Sequence, residues 1–172
     1  MDSKKRLMFI LEEDYYYITL KVLSIFKALE CEKKPFEDYR KIGIIFELIK
    51  NSSRVQFFEK IINSNQLDIF DNEQIISISC NAKMNTAVIK RVLFFLEKQN
   101  MINMVKSTKR ESIDVLLLKS EQLEMLMTEG VLDEDIRQVN LIKKHIPRIK
   151  ILKIRTLRQK LFGSSEVTKW ED

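Results

Sequence analysis

The sequence predicts a mostly α-helical protein with one small β-hairpin, and three observations support this fold class. Only three Gly and two Pro occur among the 172 residues, a scarcity that favours long helices over a sandwich or barrel. Apolar residues recur at spacings of three and four along most of the chain, which is the period of a helix with one buried face. After residue 101, by contrast, apolar and polar residues alternate on both sides of a polar stretch, which predicts two short strands.

The first third of the chain predicts three helices. Asp14 is placed to cap a helix over residues 15–31, and a turn that contains a proline separates it from a second helix over residues 36–49. The polar stretch 51–53 ends the second helix and caps a third over residues 54–63. The residues that we expect on the buried faces are Ile18, Val22, Ile25, Phe26, Leu29, Ile42, Ile45, Phe46, Ile49, Val55, Phe58 and Ile62.

Residues 84–118 form the most distinctive stretch of the chain. A helix over residues 83–100 leads directly into a hairpin, whose polar tip is predicted at residues 107–112. Residues 75–78 form either a short helix or a short strand before a turn at residues 81–82, and the winged-helix outline favours the helix. The residues predicted on the apolar face of the long helix are Val88, Ile89, Val92, Leu93, Phe95 and Leu96.

A helix that leads into a hairpin is the outline of a winged helix-turn-helix. The recognition helix would be residues 83–100 and the wing residues 101–118, with additional N- and C-terminal helices around them. A module of this kind binds either DNA or another protein, and it rarely performs chemistry.

Three further helices are predicted after the hairpin. Ser120 opens one that ends near Gly130, the second covers residues 133–145, and the third covers residues 148–162 and ends at Gly163. The predicted organisation has three parts: residues 1–119 as the helical N-terminal part with the winged helix, residues 120–163 as a C-terminal helical extension, and residues 164–172 as a flexible tail.

The positive charge of the chain is concentrated near its C-terminus. Residues 137–163 contain nine Lys and Arg and no acidic residue, so the remainder holds 21 basic and 25 acidic residues, a net charge of −4 against +5 for the whole chain. This segment is consistent with a patch that tracks DNA phosphates, with a helix that docks into an acidic groove of a partner, or with an ordinary solvated face. The residues in it that would contact nucleic acid are Arg148, Lys150, Lys153, Arg155, Arg158 and Lys160.

Candidate contact residues also occur around the predicted winged helix. DNA reading would use Lys83, Asn85, Thr86 and Lys90 near the start of the recognition helix. Lys109 and Arg110 at the wing tip would reach phosphate. Phe94 and the consecutive Tyr15, Tyr16 and Tyr17 suit a protein interface instead, because they cannot all face one core.

The sequence indicates neither a catalytic nor a metal site. His145 is the only histidine, which leaves a histidine-based triad or a His-rich metal site without its residues. Cys31 and Cys80 lack the spacing of a zinc or redox motif, and three scattered glycines form no phosphate-binding loop. Without a long apolar run or a secretory leader, we expect a cytoplasmic, non-enzymatic protein with no cofactor and no membrane contact.

The order of these elements resembles a known family. A pair of N-terminal helices, the short aromatic stretch Val55-Gln56-Phe57-Phe58, a helix that ends in residues 92–102, and a wing follow one another over about residues 10–145. This order resembles the small middle component of bacterial ABC three-component systems, which include Lamassu-type anti-phage defence. That group is in turn similar to the winged-helix partners of SMC ATPases, such as the MukE family.

The resemblance implies a non-catalytic adaptor. It would bridge an SMC-like ATPase and an effector such as a nuclease within a hetero-oligomer, and exposed hydrophobic residues including Phe57, Phe94 and Tyr15–Tyr17 would contact the partners. Nucleotide and metal would then belong to the ATPase. The alternative is a homodimeric winged-helix transcription regulator that binds duplex DNA and dimerises through its last helices.

Overall fold

The computed structural model describes residues 3–64, 66–108 and 111–163, with side chains from Asp14 onward. Seven helices and two antiparallel strands form this described part, so the predicted class, mostly α with a small hairpin, is confirmed. The elements are α1 (Ser3–Ala28), α2 (Lys41–Leu48), α3 (Ser52–Asn63), α4 (Ile69–Lys98), β1 (Ile102–Lys106), β2 (Ile113–Leu117), α5 (Glu121–Thr128), α6 (Asp133–His145) and α7 (Ile154–Phe162).

The predicted capping residues of two helices are confirmed. The Asn51 side chain accepts a hydrogen bond from the backbone N–H of Arg54 at the start of α3, and the Ser120 hydroxyl accepts one from Leu123 at the start of α5. Gly130 follows α5 with a φ of 69°, the left-handed conformation that glycine adopts without strain. The predicted bounds of α6 are also those of the structure.

Helix α1 differs from its prediction at both ends. Asp14 does not cap it, because the helix begins eleven residues earlier, at Ser3. It ends at Ala28 because Glu30 adopts a φ of 53° and the backbone N–H of Cys31 returns to the carbonyl of Phe26, which closes the last turn.

Phe36 was predicted within the second helix, and the structure places it beside the hairpin. Its backbone N–H donates to the carbonyl of Val115 at 2.7 Å, and the N–H of Val115 donates back at 2.9 Å. The segment between α1 and α2 therefore adds one bridge to the outer edge of β2. Helix α2 begins only at Lys41.

The prediction of a turn at residues 81–82 is wrong, since α4 runs unbroken for 30 residues, about 45 Å. The buried Ile75, Ile78 and Ala82 continue the same apolar stripe as Ile89, and no Gly or Pro interrupts it. At Gly43, helix α2 crosses α4 so closely that a Cβ atom would lie 2.6 Å from the Ala82 carbonyl oxygen.

The predicted C-terminal helix is also shorter than expected, because residues 148–153 precede α7 as turns. The ammonium of Lys41, fully buried, donates to the carbonyls of Ile149 at 2.9 Å and Lys150 at 2.8 Å. The backbone N–H of Glu37 also donates to Lys150. These bonds hold the carbonyls of Ile149 and Lys150 toward α2 and the segment before it, where residues 148–153 form turns.

The core surrounds α2, whose eight residues are all buried. Residues after the hairpin pack on those before it: Lys21 of α1 pairs with Asp135 of α6 at 2.6 Å, and the ring of Phe58 in α3 meets that of His145 edge-on at 5.7 Å. Among the described residues, no helix is both long enough and apolar enough to span a bilayer.

Candidate protein-interaction surfaces

A long apolar groove lies between α1, α4 and α5, and we call it the α1–α5 groove. Its volume is about 730 Å³. Its walls are formed by Tyr16, Leu20 and Leu23 of α1, Phe95 of α4 and Met125 of α5, among others. Tyr16, Phe95 and Met125 are each more than half exposed, so large apolar surface faces solvent here.

Two charged side chains, Arg91 and Glu129, also line the α1–α5 groove. The guanidinium of Arg91 lies 3.5 Å from the hydroxyl of Tyr15. Glu129, which directly follows α5, is exposed and also lines the groove. A ligand for this groove therefore needs mainly an apolar surface, since most of the lining is apolar.

A second surface lies between α4 and the hairpin, and we call it the helix–hairpin face. A groove of about 590 Å³ is lined there by Phe94 and Glu97 of α4, by Met104 of β1 and by Glu111 of the hairpin, among others. Phe94 is 51% exposed, and Lys106 of β1 also lines the groove. The face therefore combines apolar side chains with acidic ones and with the basic Lys106.

The predicted DNA-reading residues of α4 lie in two different environments. Lys83 and Lys90 are exposed, and the Lys90 ammonium lies 5.9 Å from the centre of the Phe94 ring. The amide of Asn85 donates at 2.7 Å to Glu47, a fully buried carboxylate of α2, while the hydroxyl of Thr86 donates to the Ala82 carbonyl. The polar groups of Asn85 and Thr86 thus serve the fold in this structure.

The basic C-terminal residues are spread over turns and α7 and do not form one continuous helical face. Arg148, Lys153, Arg155 and Lys160 are exposed, and Arg158 is half-buried. Lys150 donates to the carbonyl of Glu30 at 3.2 Å. Lys109 and Arg110, predicted at the wing tip, lie outside the described residues, as does the predicted tail.

The aromatic residues proposed as partner contacts divide into two groups. Tyr16 is 61% exposed, and Tyr15 lies beside it on the groove wall. Tyr17 is partly committed to the fold, because its hydroxyl donates to the carbonyl of Lys50 and its ring packs edge-on against Phe46. Phe57 is buried in the core, so its assignment as an exposed contact is wrong; α3 turns both of its phenylalanines inward.

The sequence reasoning missed the α1–α5 groove. It placed Phe95 on the buried face of α4, whereas Phe95 is 54% exposed and the buried stripe consists of Ile89, Val92, Leu93 and Leu96. The consecutive pair Phe94–Phe95 was the available signal, since neighbouring side chains on a helix do not share one face.

The described residues show few of the side-chain clusters that a catalytic or metal site would require. No group of three or more His, Cys, Asp or Glu residues is arranged there to hold a metal ion. Cys31 is buried, and burial raises the pKa of its thiol to about 12, which disfavours the reactive thiolate. Cys80 is exposed on α4.

Comparisons with known proteins give no match to this chain: no family model, no curated protein and no solved structure is similar to it.

Proposed function

We propose that this chain is a non-catalytic winged-helix adaptor, which joins an SMC-like ATPase to an effector such as a nuclease in an anti-phage defence complex. The order of elements supports the winged-helix interpretation: α1, a bridging segment at Phe36, α2, α3, the long α4, and then β1 and β2, with Phe36 pairing to the outer edge of β2. Helix α4 and the hairpin would correspond to the recognition helix and the wing.

The composition of the helix–hairpin face carries the proposal of protein binding. A winged helix that reads DNA uses this face to approach the phosphate backbone, which requires basic and polar side chains. Phe94, Met104, Glu97 and Glu111 line it, and Lys106 is the basic side chain among the described lining residues. Carboxylates would repel phosphate, whereas exposed aromatic and aliphatic groups provide the apolar contact area of a protein interface.

The second candidate is a DNA-binding regulator, and the distribution of lysine and arginine favours it. Lys83 and Lys90 are exposed on α4, and Arg148, Lys153, Arg155 and Lys160 are exposed near the C-terminus. Such residues neutralise phosphates without reading sequence. Under the adaptor proposal, the same residues would make weak, salt-dependent contact with DNA that the ATPase holds.

The test is purification of the tagged chain from its native host, compared with the variant Phe94→Glu. We expect the unaltered chain to retain a large ABC-type ATPase and an effector in stoichiometric amounts, and Phe94→Glu to lose at least one of them. Phe70→Glu is the matched control, because Phe70 is 79% exposed on the same helix but lies away from the hairpin groove.

A DNA-binding measurement separates the two candidates. The adaptor should bind random and genomic duplexes equally and weakly, with an affinity that falls steeply as salt rises. Recovery of the chain without an ATPase, together with tight binding to one duplex sequence, would overturn the adaptor proposal and support the regulator.

A further inference from the structure

We propose that two copies of this chain pair antiparallel along α4, with the two-fold axis beside Cys80. The contact surface is a stripe that we call the outer stripe of α4, formed by Ile69, Ile76, Cys80, Met84 and Ala87. It shares no described residue with the linings of the α1–α5 groove and the helix–hairpin face. The inference therefore goes beyond the proposed adaptor function and concerns a different surface.

The outer stripe is an apolar surface that faces solvent. Its five members are all exposed, with Ile76 at 48% and Met84 at 74%. At 3.6 residues per turn, their positions lie within about a quarter of the circumference of α4. The buried residues Ile75, Ile78 and Ala82 lie on the opposite side of the same turns. A helix with apolar stripes on two opposite sides is typical of one that packs against neighbours on both.

The exposed charges of α4 divide by sign on either side of Cys80. The exposed acidic residues, Asp68 at the N-cap and Glu73, precede it. The exposed basic residues follow it, and they are Lys83, Lys90, Arg91 and Lys98. Two such helices that run in opposite directions set acidic residues against basic ones at both ends, whereas a parallel pair would set like charges together. The charge pattern therefore favours a second copy in the antiparallel orientation.

The spacing of the apolar residues selects the register. Ile76 and Met84 each lie four residues from Cys80, so an axis beside Cys80 brings Ile76 of one copy level with Met84 of the other. This contact occurs twice, once on each side of the axis, as a two-fold interface requires. The same register brings Glu73 level with Ala87, and Lys90 lies three residues, about 4.5 Å, further along the helix. Apolar side chains thus meet at the centre, and each Glu73 carboxylate faces a basic side chain within one turn.

The first experiment is sedimentation analysis of the full chain across a wide range of concentrations. We expect a monomer–dimer equilibrium, and Ile76→Glu or Met84→Glu should weaken the dimer at least about 30-fold, the effect of losing one interface hot spot. Phe94→Glu is the matched control, because Phe94 is also exposed on α4 but would lie opposite residue 66, before the partner's helix begins. Its dimer should be unaffected.

Cross-linking at Cys80 tests the register. A short bifunctional maleimide should link two copies through Cys80 at concentrations where the dimer forms, whereas at high dilution Cys80 stays open to simple thiol reagents. The other cysteine, Cys31, is buried. Asn72→Cys in the Cys80→Ser protein is the matched control, since position 72 is exposed but lies eight residues from the axis. The two thiols would then be 16 residues, about 24 Å, apart along the pair, and the same reagent should not link them.

Charge reversal tests the orientation. Glu73→Lys and Lys90→Glu should each weaken the dimer when either variant is alone, because position 73 of one copy then faces a like charge at position 90 of the other. A mixture of the two variants should form a heterodimer, in which both of these pairs have opposite charge again.

Circular dichroism establishes that each variant is folded before its association is measured. A chain that is monomeric at every concentration, a dimer that resists both Ile76→Glu and Met84→Glu, or equal cross-linking at positions 72 and 80 would each overturn the proposal. Loss of the ATPase from Phe94→Glu leaves the dimer untouched, so the two proposals fail independently.

Discussion

Gly43 lies where two helix backbones meet. A Cβ atom at this position would lie 2.6 Å from the carbonyl oxygen of Ala82, far inside a normal contact, and the obstacle is backbone that cannot rotate away. Next to the crossing, Asn85 of α4 donates to the buried Glu47 of α2, whose other carboxylate oxygen, Oε2, has no hydrogen-bond partner in the structure. The crossing thus fixes both the separation and the register of α2 and α4.

We predict that Gly43→Ala lowers the free energy of unfolding by about 1–2 kcal/mol. Alanine inside a helix is normally better than glycine by about 0.5–1 kcal/mol, so any loss must come from the overlap, which typically costs about 1–3 kcal/mol. Urea unfolding measures the difference. Ser77→Ala, at an exposed position of α4, is a control in which alanine enters a helix without overlap, and it should not lower stability. Equal or greater stability of Gly43→Ala would contradict the close crossing.

At the scale of the element, α4 depends on the polar groups of its first turn. The Asp68 side chain accepts from the N–H of Asp71, and the Asp71 side chain accepts from the N–H of Asp68, a reciprocal capping box. The Lys60 ammonium of α3 approaches Asp71 at 2.6 Å. The hydrogen bond from Lys60 and that from the backbone of Asp68 hold the pKa of Asp71 below its ordinary value.

This lowered pKa predicts a pH-dependent contribution to stability. A carboxyl whose pKa is lower in the folded state stabilises the fold fully above its unfolded pKa of about 4, and the contribution is lost as pH falls through the folded pKa. The stability difference between the native chain and Asp71→Asn should therefore be greatest near neutral pH and shrink on acidification below about pH 4. Glu73→Gln, an exposed carboxylate of the same turn, is the control. A difference that stays constant with pH would refute the role of the charged pair.

Elements that depend on local signals were predicted from the sequence, whereas elements that depend on distant residues were not. The hairpin, α3, α5 and α6 depend on local signals, such as the caps Asn51 and Ser120, and these were predicted almost to the residue. The bridge at Phe36 and the turns at residues 148–153 depend on partners more than 70 residues away, Val115 and Lys41 respectively. Periodicity alone does not contain those contacts. For the same reason it missed the α1–α5 groove, which three distant helices form together.

At the scale of the whole molecule, the segments before and after the hairpin share one core. Lys21 pairs with Asp135, the ammonium of Lys41 holds two carbonyls of the C-terminal turns, and Phe58 packs on His145. The side chains of α7 that face inward, Leu157 and Leu161, are as buried as those of α2. Residues 120–163 therefore contribute to the same packing as residues 14–119.

We predict that residues before and after the hairpin unfold together in a single transition. The reactivity of the two cysteine thiols allows this to be measured. In the native protein a thiol reagent should modify the exposed Cys80 quickly and spare Cys31, because burial raises the pKa of the Cys31 thiol to about 12. During denaturation, modification of Cys31 in the Cys80→Ser protein should coincide with the loss of helical circular dichroism. Exposure of Cys31 well before the loss of helix would reveal two independent units.

Helix α4 also determines the relative orientation of two molecules that would bind at its two surfaces. Phe94 and Phe95 are adjacent in the chain, yet one lines the helix–hairpin face and the other lines the α1–α5 groove. Consecutive side chains on a helix differ by about 100° around its axis and by about 1.5 Å along it. Molecules bound at the two surfaces would meet the same turn of α4 at nearly a right angle. The helix would therefore fix the angle between the two bound molecules. An insertion of one residue between Phe94 and Phe95 would rotate one bound molecule relative to the other without changing the composition of either surface.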